Sequence, residues 1–149
     1  MASLHVTETE RFLIKTNGTK VDLSFFDEVG PMTWGFFYFK IGEKYGFMNE
    51  LGKVIAGPKY TAAGNFDETG HAAVKTETGW GFIDTHGMEV CRPIYDKVWY
   101  YNNGFAKVRK KSQILFIDKI GIEHHTISVK KIWYTVSRRW QKNANRHKG

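Results

Sequence analysis

The chain has 149 residues, 42% hydrophobic and 15% aromatic, with 22 Lys and Arg against 15 Asp and Glu. That length fits one domain with a real core, and the composition excludes intrinsic disorder, which needs few apolar residues and high net charge. The formal charge of +7 is not uniform: residues 1–123 hold all 15 acids and 15 basic residues, and the other seven basic residues lie in 124–149.

No apolar run approaches the roughly 20 residues of a membrane-spanning helix. The opening residues MASLHVTETERF lack the basic and apolar regions of a signal peptide. A solitary Cys91 cannot form an intramolecular disulfide. The expectation is a cytoplasmic protein, although a piece of a longer exported chain would read the same way.

A period of 34 to 35 residues runs through the chain, and internal repeats outrank single motifs. Its first unit is degenerate, with Phe12 in register and Asn17-Gly18 where a turn belongs. The next begins at Gly35, with Phe39-Lys40, Gly46-Phe47, Asn49 and Gly52 in order. Another begins at Gly70, with Val74-Lys75, Gly81-Phe82, Asp84 and Gly87. The last begins at Gly104, with Val108-Arg109, Leu115-Phe116, Asp118 and Gly121.

The clearest unit predicts a strand over His71–Lys75, then a hairpin loop of about four residues over Thr76–Gly79. A second strand follows from Trp80, with Trp80 and Phe82 on one face. Asp84-Thr85-His86-Gly87 then supplies turn chemistry: Asp accepts an N–H two residues on, and Gly takes the left-handed conformation without steric cost. A third strand follows from Met88. Pro58 and Pro93 should end or edge the third strands, because proline cannot donate to a ladder. Tyr60 and Tyr95, two residues beyond, read as anchoring aromatics. Each repeat is thus expected to be a three-stranded meander.

Trp80-Gly81-Phe82-Ile83-Asp84-Thr85-His86-Gly87, with Ala72-x-Val74-Lys75 before it and Pro93-x-Tyr95 after it, resembles the WG-repeat (KWG-like) family. Tyr45-Gly46-Phe47-Met48-Asn49-Glu50-Leu51-Gly52, with Pro58-x-Tyr60, is similar to a second copy. The resemblance covers roughly residues 10–123, more strictly 35–121. It implies an all-β repeat array, mostly bacterial, often on cell-surface or multidomain proteins, with no general enzymatic activity. The fold expectation is all-β: a twisted array or a closed barrel-like body over residues 1–125, with a small propeller as the alternative. A basic tail over 126–149 completes the chain as a strand or helix.

Candidate chemistry is sparse. Asp84 and Asp118 are in register with Asn49, which serves the turn equally well, so they read as turn formers rather than paired acid–base carboxylates. His71, His86, His124 and His125 lack the spacing of a metal site, and Cys91 has no evident His–Asp partners. No metal or cofactor is expected, and Asn17-Gly18-Thr19 reads as a turn rather than a glycosylation acceptor.

The numerous aromatics cannot all face inward along a strand. Phe37, Tyr38, Trp99 and Tyr101 are therefore the candidate partner-binding residues. In the tail, Lys130, Lys131, Trp133, Arg138, Arg139 and Trp140 are candidate contacts, because an amphipathic basic segment suits nucleic acid or an anionic surface. The functional expectation is a non-enzymatic repeat module for protein interaction or scaffolding. Binding of nucleic acid or an anionic surface through the tail is the alternative.

Overall fold

The computed structural model describes residues 2–125, so the six tail candidates, Lys130, Lys131, Trp133, Arg138, Arg139 and Trp140, lie outside the described residues. The expected tail, 126–149, lies outside them as a whole. By its internal packing the chain divides into two compact units, Met1–Ile94 and Tyr95–Gly149. No helix occurs among the described residues, which form 15 strands in four open antiparallel sheets.

The first sheet comprises β1 (Ser3–Val6), β2 (Arg11–Ile14) and β3 (Lys20–Asp22). The second is β4 (Glu28–Val29), β5 (Phe36–Ile41), β6 (Lys44–Asn49) and β7 (Val54–Tyr60). The third is β8 (Ala62–Ala63), β9 (Ala72–Thr76), β10 (Gly79–Ile83) and β11 (Glu89–Tyr95). These three make up the first unit, apart from Tyr95. The second unit carries β12 (Lys97–Asn102), β13 (Phe105–Lys110), β14 (Gln113–Asp118) and β15 (Glu123–His124).

Strand order follows chain order within each sheet, as in a meander. Two details differ from the sequence reading. The complete sheets have four strands rather than three, because short β4 and β8 pair with β5 and β9, and the longer β12 pairs with β13. The hairpin loops are also tighter than four residues. Ile41 pairs with Lys44, Thr76 with Gly79 and Lys110 with Gln113, leaving two residues in each turn. Two-residue loops match the right-handed twist of the flanking strands, which is why they prevail.

Pro58 lies inside β7 rather than at its end. Tyr45 pairs with Tyr60 but Phe47 with Ala56, so β7 bulges across Gly57-Pro58-Lys59. A bulge on an edge strand tolerates a residue without an N–H. Beyond it, Tyr60 is fully buried as the anchoring aromatic.

The core of the first unit lies between sheets. Leu13, Leu23 and Phe26 pack with Phe37, Phe39 and Met48 on one side of the second sheet. Phe36, Tyr38 and Phe47 pack with Phe66, Ala72, Val74 and Ile83 on its other side. The second sheet is therefore covered on both faces, and that accounts for the run Phe36-Phe37-Tyr38-Phe39. A strand with one wet face alternates polar and apolar residues, whereas one buried on both faces reads as continuously apolar.

Candidate functional site

The registered Asn and Asp residues do the same thing three times. Asn49 Oδ1 accepts the N–H groups of Leu51 and Lys53, both at 3.0 Å. Asp84 Oδ1 accepts those of His86 and Met88 at 2.8 and 3.0 Å. Asp118 Oδ1 accepts those of Ile120 and Ile122 at 3.1 and 2.9 Å. Gly52, Gly87 and Gly121 close these turns at φ of 83°, 82° and 92°. The degenerate first repeat builds the same backbone turn with Gly18 N–H donating to Lys15 O at 2.9 Å, while Asn17 Oδ1 takes the Thr19 N–H. An oxygen already holding two amides is a turn constituent.

Among the described residues, no group of three or more His, Cys, Asp and Glu side chains stands where one ion could be held. His124 instead bonds Asp118 Oδ2 through Nε2 at 2.8 Å. Burial pushes the Asp118 carboxyl up, but that bond and the Ile122 and Ile120 amides outweigh it and leave the group below its ordinary value. Cys91, the single cysteine of the chain, is buried.

The aromatic–glycine pair has a steric reason. A Cβ on Gly46 would lie 2.6 Å from the carbonyl oxygen of Ala56, where the β7 bulge folds over β6. A Cβ on Gly81 would lie 2.9 Å from Pro93 Cα. The proline-bearing third strand thus crosses too close for any side chain. Two tyrosine–carboxylate bonds recur at nearly the same spacing. Tyr60 donates to Glu89 Oε2 at 2.9 Å, and Tyr95 donates to Glu123 Oε2. Burial, then the Glu89 carboxylate, holds the Tyr60 phenol far above its ordinary value. The Tyr95 hydroxyl and the Lys110 ammonium at 3.2 Å hold Glu123 below its own, against the effect of burial.

The structure sorts the four aromatic candidates. Phe37 and Tyr101 are core residues, 2% and 4% exposed, and present no surface to a partner. Phe37 faces the first sheet, and Tyr101 donates to Asp118 O at 2.9 Å. Tyr38 is half-buried, its ring against Gly30 and its hydroxyl 3.5 Å from Glu28 Oε2. Burial, then Glu28, raises its phenol above the ordinary value. Trp99 is half-buried with the Lys97 and Lys107 ammonium groups each 4.8 Å from its ring.

The residue that sequence reasoning missed is Trp34, 67% exposed. Thr33 and Phe36 exchange both backbone hydrogen bonds, at 2.8 and 3.0 Å, around Trp34-Gly35. That two-residue turn requires positive φ at both positions, and Trp34 adopts 52°. In the fourth sheet Asn103 fills the corresponding place at 57°. Asn tolerates this conformation, whereas a bulky residue there is an outlier. The available signal was this contrast between Trp34-Gly35 and Asn103-Gly104.

Trp34 stands at a cleft of about 830 Å³ within the first unit. Leu4 and Val6 of β1, with Val29, Pro31 and Met32, supply its apolar lining, and Glu50 is the one charged residue among the lining residues. Glu50 is held beside the turn through its own N–H, which donates to Gly35 O at 2.9 Å.

No curated protein and no solved structure matches the chain. The model of the WG containing repeat matches twice, at residues 45–77 and 80–112. The two matches take in both crowded glycines, Gly46 and Gly81, and the turns closed by Gly52 and Gly87. Residues 45–77 and 80–112 are thus two adjacent copies of the WG containing repeat.

Proposed function

We propose that this repeat module works by binding another protein rather than by turning over a substrate, and that the Trp34 cleft is its principal contact. The observation that carries the reading is an indole 67% exposed beside an apolar cleft, in a backbone conformation that bulky residues avoid. Strain of about 1–3 kcal/mol at such a position is found where function demands it. Tryptophan is also the residue type most enriched at binding hot spots. Tyr38 and Trp99 are the secondary contacts in this proposal. A cytoplasmic setting remains part of it, in keeping with a chain that holds a single cysteine.

The test places a photo-crosslinking phenylalanine analogue at position 34 of the full chain in lysate of the source cells. A discrete crosslinked protein at position 34, absent when the analogue replaces Phe25, supports the reading. Phe25 is equally exposed, at 66%, but does not line the cleft. Identical crosslinking from both positions refutes it.

The charge distribution favours a second reading, in which residues 126–149 engage nucleic acid or an anionic surface. It predicts steep salt dependence and loss of binding on deleting 126–149. Binding that survives the deletion eliminates it.

A further inference from the structure

The interaction reading, on which this inference rests, leaves open what kind of segment occupies the cleft. The first sheet has the order β1-β2-β3, so β1 pairs with β2 and has no strand on its other edge among the described residues. An uncovered edge presents backbone donors and acceptors to any extended chain. The same strand supplies Leu4 and Val6 to the cleft, so backbone pairing and an apolar pocket lie side by side. Glu50 forms no ion pair among the described residues, and the cleft lining contains no cation. Trp34 presents an exposed aromatic ring, which attracts a cation placed over its face.

The geometry points to an extended peptide as the occupant, carrying an aliphatic residue and a lysine or arginine two positions apart. Its backbone adds along the free edge of β1 in the manner of strand addition. Residues i and i+2 of an extended chain share one face, about 6.6 Å apart. The aliphatic side chain then enters the cleft beside Leu4 and Met32, and the cation meets Glu50 and the Trp34 ring. An acidic peptide is rejected, because its carboxylate would meet Glu50 in a half-buried site with no compensating cation.

The test uses the full chain, isotopically labelled for amide NMR, and two seven-residue probes. One carries leucine, lysine and leucine at alternate positions with serine between, and the other has glutamate for lysine. The lysine probe is expected to shift the amides of Ser3–Val6, Met32–Gly35 and Glu50, and to bind at least tenfold more tightly than the glutamate probe. Glu50→Gln, isosteric and uncharged, should weaken the lysine probe about fivefold, the scale of a partly exposed charge pair. Trp34→Ala should weaken it more than tenfold with the remaining amides unchanged.

Equal binding of the two probes, shifts confined to other surfaces, or no binding up to about 1 mM overturns the inference. Concentration-dependent shifts of the same amides without peptide overturn it in favour of a second copy of the chain. A discrete crosslink from position 34 combined with any of these failures leaves protein binding standing and removes only the peptide chemistry.

Discussion

Gly87→Ala separates a local requirement from a tertiary one. Gly18, Gly52 and Gly87 have φ of 88°, 83° and 82° and each closes the same kind of turn. An L-residue in that region costs about 1–2 kcal/mol at any of the three. Their neighbourhoods differ. A Cβ on Gly18 meets nothing within 4 Å, and one on Gly52 comes no closer than 3.5 Å to Val21 Cγ2. On Gly87 it would lie 1.9 Å from the carbonyl oxygen of Ile55 in β7. Reaching even 3.0 Å requires 3.0 − 1.9, a retreat of 1.1 Å by backbone atoms, which cannot rotate aside as a side chain does.

Overpacking of this kind adds about 1–3 kcal/mol. The expectation is thus about 1–2 kcal/mol lost for Gly18→Ala and Gly52→Ala and about 2–5 kcal/mol for Gly87→Ala. Urea unfolding followed by tryptophan fluorescence measures this, with a midpoint for Gly87→Ala about 1 M below that of the other two at equal m-value. Equal midpoints for all three variants would show that the Asp84–Met88 turn does not seat on β7, and the packing argument would be wrong.

Asp84→Asn should change stability by less than about 0.5 kcal/mol, since Asn49 performs the same role, whereas Asp84→Ala loses two amide bonds and about 1–2 kcal/mol. If Asn proves as costly as Ala in urea unfolding, the charge matters and the turn reading fails. Phe37→Ala should cost about 3–5 kcal/mol and Tyr100→Ala less than about 0.5 kcal/mol, because one ring is 2% and the other 65% exposed. Reversal of that order by thermal unfolding would contradict the assigned faces of β5 and β12. Glu123 has a depressed folded-state pKa, so its contribution is present above its ordinary value of 4.5 and is lost as pH falls through the folded value. Tyr95→Phe should flatten the acid side of the stability–pH curve, and an unchanged slope below pH 4.5 would refute the role given to this bond.

The repeat register was legible because its determinants are local. An Asn or Asp that bonds amides two and four residues on, followed by a glycine with positive φ, needs no information from the rest of the chain. The degenerate first repeat shows how far this goes: Asn17-Gly18 marked a turn even where Lys15 replaces the usual Asn or Asp. The extra strands β4 and β8 escaped notice because two residues carry no periodicity. They exist only because β5 and β9 offer an edge.

Exposure was not legible, and the reason lies in the stacking of sheets. In a single sheet, the run Phe36-Phe37-Tyr38-Phe39 would leave one face bare, which made Phe37 and Tyr38 candidates for a partner. Between two neighbouring sheets both faces are covered, so Phe37 joins one core and Tyr38 borders the other. Sequence by itself determined where the chain turns and which glycines recur, since those follow from hydrogen bonds spanning a few residues. Only the tertiary structure decided that Gly87 lies against Ile55, and that β1 and the Trp34 turn enclose one cleft. Contacts between residues some thirty positions apart depend on how one sheet seats on the next, which no local pattern encodes.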